Sequence, residues 1–298
     1  MDFVCSDCPR RCSALRGDEK AGGVCASPAL PRVARAAPHF GEEPCLSGSR
    51  GAGAIFFTGC NLRCVYCQNR EISRGVQAGK SVDAAALRDI MLRLRDEGVH
   101  CIDLVTPTHY VRTVRRALDG LSLGIPVVWN SSGYESVETL RTLEGLVQVY
   151  MPDYKYSDSA LAARCSGAKD YPETAAAAIR EMFRQTGPYR LDENGLLVSG
   201  VLIRHLILPG EIENSMGAID FVAESFPRGS VLFSLMSQYT PMPGLEKYPT
   251  LQRRVEAQEN EHLIRYMHAC GISDGYWQEL SSATAEEIPA FDGTGVAP

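Results

Sequence analysis

Between Ala54 and Cys270 the chain alternates short apolar runs with longer amphipathic stretches. The apolar runs are Ala54–Phe57, Cys101–Val105, Pro126–Trp129, Val147–Met151, Val201–Leu208 and Val231–Leu235. Runs this short, each followed by a helical pattern, read as buried strands of a parallel sheet. The intervening stretches Asp83–Asp96, Tyr110–Leu121, Ser136–Leu143, Glu173–Gln185, Met216–Glu224 and Leu251–Cys270 carry the period of helices with one buried face. Asp83 and Asn214 are placed as N-caps, and Gly98 and Gly271 follow helix ends. The pattern predicts an α/β protein, either barrel-like or open and doubly wound, with fewer strand–helix units than the eight of a full barrel. In either arrangement a ligand site belongs at the carboxyl ends of the strands.

Residues 1–50 depart from this pattern: rich in Cys, Pro, Gly and Arg, they show no sustained period and read as a small element held together by ligands. The barrel-like core is expected over 51–280, and residues 281–298 as a mobile tail. At 298 residues and 45% hydrophobic content the chain can bury a full core. Its net charge of −6 argues against a protein built to grip phosphate backbones, so nucleic acid is not an expected partner. Residues 1–80 run against that average, with 11 Lys and Arg against 7 Asp and Glu. Arg10, Arg11, Arg16, Arg32 and Arg35 are read as solvated or as facing an acidic partner. No secretory leader and no apolar run long enough to span a membrane is apparent, which suggests a cytoplasmic protein with reduced thiols.

Eight of the eleven cysteines fall within the first 67 residues. In a reducing compartment such clustering points to metal rather than disulfides. Cys60, Cys64 and Cys67 form a C-x3-C-x2-C loop directly after the first apolar run. Three thiolates on a four-iron cluster leave one iron open to a cofactor or substrate, whereas a structural zinc ion wants four protein ligands. Cys5, Cys8, Cys12 and Cys25 form a second set, for which zinc and an additional iron–sulfur cluster both fit. Cys45 is left unassigned, and Cys101, Cys165 and Cys270 are read as packed thiols.

The C-x3-C-x-aromatic-C motif, with Tyr66 before its last cysteine, resembles the signature of the radical SAM superfamily. The run from Glu42 to Asn69, together with Cys8-Pro-Arg-Arg-Cys12 and Thr106-Pro-Thr-His-Tyr110, is similar to the pyruvate formate-lyase activating enzyme-related proteins. The resemblance implies a partial (β/α)6 radical SAM barrel, a [4Fe-4S] cluster on Cys60, Cys64 and Cys67, and S-adenosylmethionine chelated to its open iron. It also implies an external electron donor such as flavodoxin or ferredoxin, and an oxidoreductase that generates a 5′-deoxyadenosyl radical and takes hydrogen from a protein or peptide. A small-molecule substrate, and a non-catalytic zinc or iron–sulfur protein that binds a partner, are the competing readings.

By the same resemblance Tyr66, Thr106, Thr108, Asn130, Asp153, Lys155 and Arg204 are candidate cofactor contacts. Thr106 and Thr108 stand where related enzymes carry an acidic Gly-Gly-Glu segment. Asp153 and Lys155 are two apart on an extended segment, so both point to one side, and Arg204 is placed for a two-pronged contact with the cofactor carboxylate. His109 is weighed as acid, base or ligand against a purely structural histidine.

Overall fold

All six apolar runs form strands of one sheet in the computed structural model, which describes residues 2–75, 79–278, 280 and 289–296. The sheet contains β1 (Arg32–His39), β2 (Ala52–Phe57), β3 (Ile102–Val105), β4 (Val127–Ser131), β5 (Val149–Pro152), β6 (Leu197–Leu206), β7 (Leu232–Met236) and β8 (Gly275–Trp277). Strands β2 to β8 are adjacent in chain order and pair in parallel, while β1 lies antiparallel to β2. The crossovers carry α1 (Ala84–Asp96), α2 (Val111–Leu118), α3 (Val137–Arg141), α4 (Ser159–Ser166), α5 (Tyr171–Thr186), α6 (Ile212–Ser225) and α7 (Ala257–Ala269). The result is an arc of parallel strands that wraps partway around an interior, a partial (β/α) barrel.

Alternation along each strand separates two surfaces. Ile55, Phe57, Ile102, Leu104, Trp129, Tyr150, Ile203 and Phe233 pack outward with Leu87, Val114, Ile179 and Leu263 of the helices. Their neighbours face the interior, where Ala52, Val128, Val149, Leu202 and Leu232 close the amino end with Cys45 and Cys101. Cys45 is therefore a packing thiol, and burial pushes it up to about 11.

Several boundaries differ from the sequence reading. The eight residues of β1 belong to the central sheet although they lie before residue 51; alanines buried on both faces and a bulge near Arg35 hide the strand period. Asp83 caps α1, accepting from the Ala86 N–H at 2.8 Å. Asn214 is not an N-cap: it lies inside α6 and its Oδ1 accepts from the Ser157 N–H at 2.9 Å, pinning the segment after β5. Helix α4 is absent from the sequence reading; Asp158 caps it and left-handed Gly167 ends it. Of the tail, 281–288, 297 and 298 lie outside the described residues. Residues 289–296 dock on β1, with Ala36 N–H donating to Thr294 O at 2.9 Å and Gly293 N–H to Ala34 O at 2.8 Å.

Candidate active site

A cavity of about 210 Å³ lies at the carboxyl ends of β2 to β7, where a barrel places its loops and ligands. Cys60, Cys64 and Cys67 line it from the loop after β2, together with Tyr66. Thr106, Asn130, Asp153, Lys155 and Arg204 line it from the strand ends beyond. Thr108 does not: its hydroxyl donates to Glu135 Oε1 at 2.5 Å, next to Trp129 Nε1 at 3.1 Å, and it is buried behind the strands. His109 is likewise absent from the lining. Its Nε2 is 2.8 Å from Thr58 O, and burial pushes its pKa down to about 3, so the ring is a neutral donor holding the end of β2.

The cysteine loop is chemically suited to an iron–sulfur group. Cys60 and Cys64 are buried, and none of the eleven cysteines is in a disulfide. Burial pushes the Cys60 thiol up to about 12, and the nearby Cys64 and Cys67 add to that rise. Burial raises Cys67 as well. A cationic centre among them reverses both effects, because it stabilises the thiolates and offsets their repulsion. Donors already aim at the sulfurs: Leu62 N–H lies 3.4 Å from Cys60 Sγ, and Ser166 Oγ 3.1 Å from Cys64 Sγ. Among the described residues no three His, Cys, Asp or Glu side chains gather around a single metal ion. A four-iron cluster asks each thiolate for a different iron, so its ligands ring a larger volume than one ion does.

Opposite the cysteines is a buried ionic network. Asp153 lies 2.6 Å from Lys155 Nζ and 3.0 Å from Arg204 Nε. Arg204 also reaches Glu42 at 3.0 Å and donates to Asn130 Oδ1 at 2.8 Å, and Asn130 Nδ2 donates to Asp103 at 3.2 Å. Period-2 geometry gathers these groups, since Asp103, Asn130, Asp153 and Arg204 all sit at inward positions of β3 to β6 or just after them. Burial disfavours the Asp153 carboxylate, but Lys155 and Arg204 overcome it and hold the group below its usual range. Burial likewise opposes the Lys155 charge, and Asp153 and Cys64 more than compensate. Burial pushes Asp103 and Glu43 up and the nearby charge of Glu42 adds to the rise, while Arg204 opposes it.

Two corrections follow. Each of the three Arg204 nitrogens already donates, to Asp153, Glu42 and Asn130, so a two-pronged grip on a cofactor carboxylate competes with these partners for the guanidinium. Glu42, which lines the cavity, and Glu43 and Asp103, which join the network around Arg204 and Asn130, are candidate-site residues that the sequence reading passed over. A lone aspartate inside the apolar run Cys101–Val105 was a legible signal for one of them.

The N-terminal cysteines lie against this site. Cys5, Cys8 and Cys25 are buried and Cys12 is exposed. Burial pushes Cys8 up to about 12, with Cys25 and Cys5 contributing. The same segment touches the cysteine loop: Arg10 Nε donates to Asn61 O at 2.8 Å, and Arg63 to Val24 O at 3.2 Å. No helix among the described residues is long and apolar enough to cross a membrane.

Residues 54–222 match the model of the radical SAM superfamily. An uncharacterized protein of Methanocaldococcus jannaschii is 31% identical over 238 residues, covering 76% of this chain and 64% of its own length. The chain thus spans less than two thirds of that relative. Among solved structures, SuiB of Streptococcus suis bound to the precursor peptide SuiA superposes with a TM-score of 0.53 at 18% identity, covering 77% of this chain and 49% of SuiB. SuiB bound to S-adenosylmethionine gives a TM-score of 0.51 at 16% identity, covering 79% and 48%.

Proposed function

The chain belongs to the radical SAM superfamily, and from that premise we propose that Cys60, Cys64 and Cys67 hold a [4Fe-4S] cluster at which S-adenosylmethionine is reductively cleaved. The observation that carries this reading is convergence. Three loop thiols and a buried Asp153–Lys155–Arg204 network of opposite character face one cavity at the strand ends. Bound there, cluster and cofactor supply, on one electron from an external donor such as a flavodoxin or ferredoxin, methionine and a 5′-deoxyadenosyl radical that abstracts hydrogen from the substrate.

The protein's own residues bind, orient and shield. Lys155 brings a positive charge for the cofactor carboxylate and is aimed by Asp153. Its backbone is fixed by the Tyr171 hydroxyl, which accepts from the Lys155 N–H at 2.9 Å and lies 2.7 Å from Ser132 O. Arg204 positions Asp153, Glu42 and Asn130 rather than gripping the cofactor itself. Thr106, held in the left-handed region at φ 62° and donating from its N–H to Asn130 O at 2.8 Å, stands at the end of β3 in the place of the family's acidic segment. Tyr66 packs edge-on against Tyr156 and Tyr239, walling the loop off from water.

We assign the substrate to the protein or peptide class, on the activating-enzyme resemblance of the Glu42–Asn69 run. The setting is a reducing compartment, the cytoplasm. Anaerobic protein loaded with iron and sulfide and then reduced is expected to convert S-adenosylmethionine to 5′-deoxyadenosine. A Cys60, Cys64 and Cys67 triple alanine variant is expected to lose that activity; metal it retains belongs to Cys5, Cys8, Cys12 and Cys25, and retained cleavage would refute the assignment. Stimulation of cleavage by the dialysable fraction of a cell extract, and not by the retained fraction, would move the substrate to the small-molecule class.

A further inference from the structure

The loop that carries the three cysteines is pressed against the carboxyl end of α4. Val65 N–H donates to Cys165 O at 2.9 Å, so the two segments are tied through their backbones one residue from Cys64 and from Ser166. At that junction Ser166 Oγ lies 3.1 Å from Cys64 Sγ and 2.7 Å from the hydroxyl of Tyr156, which is fully buried. A serine hydroxyl has one proton to give. When Cys64 is a metal-bound thiolate it has none, so the direction of the chain is set: Tyr156 donates to Ser166, and Ser166 donates to the sulfur. Helix α4 stops at left-handed Gly167, and Arg10 donates to Ser166 O at 2.7 Å, so the hydroxyl is held where it is by groups on both sides.

We propose that this Tyr156–Ser166–Cys64 relay sets the reduction potential of the iron–sulfur group on Cys64, with Ser166 as a positioning residue for electron entry. The inference rests on the cluster assignment proposed above. Adding one electron to an iron–sulfur group increases the negative charge on its sulfur ligands, and a hydrogen bond to a ligand sulfur stabilises the reduced form more than the oxidised one. Ser166 therefore makes reduction by the external donor easier. Tyr156 strengthens the Ser166 donor by polarising it from behind. Neither residue lines the cavity, so their effect is separable from cofactor binding.

The test is an anaerobic potentiometric titration of the iron- and sulfide-loaded protein, with the reduced cluster followed by electron paramagnetic resonance. Ser166→Ala is expected to lower the ratio of reduced to oxidised cluster at fixed potential by about tenfold, a midpoint about 59 mV more negative for one electron. Ser166→Thr, which keeps the hydroxyl, is expected to restore the wild-type midpoint, and Tyr156→Phe to shift it less than Ser166→Ala and in the same direction. An unchanged midpoint in Ser166→Ala at wild-type iron content overturns the relay while leaving the cluster assignment intact. If Ser166→Ala cannot hold iron, an unchanged midpoint in Tyr156→Phe overturns it instead. Wild-type protein without a reducible cluster, or a triple alanine variant that still cleaves S-adenosylmethionine, overturns the assignment and the relay together.

Discussion

Glu135 offers a quantitative check on the electrostatics beneath the site. Its carboxyl is fully buried behind β4, where Oε1 accepts from Thr108 and Trp129 and Oε2 has no hydrogen-bond partner. Burial pushes its pKa from the ordinary 4.5 up to about 7, against the partial relief of those hydrogen bonds. Below pH 4.5 the group is protonated in both folded and unfolded chains and contributes no pH dependence. As the pH rises from there the unfolded chain releases its proton first, so stability falls until the folded group also ionises near pH 7. At about 1.4 kcal/mol per pH unit the loss across that window is about 3 kcal/mol. Glu135→Gln keeps an acceptor for both donors and cannot ionise. The variant and wild type are expected to agree near pH 4.5 and to diverge until the variant is about 3 kcal/mol more stable at pH 8. Urea unfolding of reduced protein from pH 4.5 to 8, followed by the fluorescence of buried Trp129, measures the divergence. Parallel stability curves for the two proteins would show that Glu135 is not held neutral and would refute the argument.

The ionic network should respond asymmetrically. Arg204→Met leaves Asp153 and Glu42 without a shared cation and is expected to cost about 3–5 kcal/mol. Asp103→Asn replaces a carboxyl already pushed toward its neutral form and should change stability by about 1 kcal/mol or less at pH 7. Equal losses for the two in denaturant unfolding would contradict the charge assignment. Gly59, at φ 82° where β2 enters the cysteine loop, has no room for a side chain, since an added Cβ would lie 2.1 Å from Ser27 Oγ and 2.9 Å from Cys25 O. Gly59→Ala should therefore lower the melting temperature and the iron bound per chain together, and wild-type values of both would dispute that packing.

Strand positions were legible because six apolar runs, each a few residues long, have no other way to bury themselves in an α/β chain. The cysteine loop was legible because its chemistry is local in sequence. What the sequence concealed is mostly non-local. Arg204 finds Glu42 across 162 positions of chain, and only the strand register brings them together. Part of that was accessible even so: alternation along the strands puts Asp103, Asn130 and Arg204 on the same inward face as Asp153, and a charged or amide residue at an inward strand position needs a partner. Thr108 was misplaced for a related reason. The 3-10 turn Thr108–Tyr110 rotates it away from the strand end, toward Glu135, while Thr106 stays at the cavity. Strand β1 was hidden by composition, because alanines can fill both faces of a strand and leave no alternation to read.

The basic excess of the first 80 residues takes on a different meaning in the fold. Arg16 is only 1% exposed and, among the described residues, meets no carboxylate; it donates to Ser27 O at 3.0 Å and His109 O at 2.8 Å, and to Cys5 Sγ at 3.4 Å. Arg10 does the same for the carbonyls of Asn61 and Leu62 on one side and Ser166 and Gly167 on the other, with its guanidinium over the Tyr134 ring. A guanidinium offers five donors in a fixed fork, so a single side chain can satisfy several carbonyls that a loop with no regular structure would otherwise leave unpaired. The loop between Cys60 and Cys64 is such a segment, enclosed between β2 and α4 and too short to form a helix of its own. Its shape is thus set partly from outside the barrel, by Arg10, which lies between the N-terminal cysteines Cys8 and Cys12. Electrostatic attraction to a partner is not needed to explain why Arg10 and Arg16 are basic, and the cysteine-rich segment and the candidate catalytic loop form one structural unit.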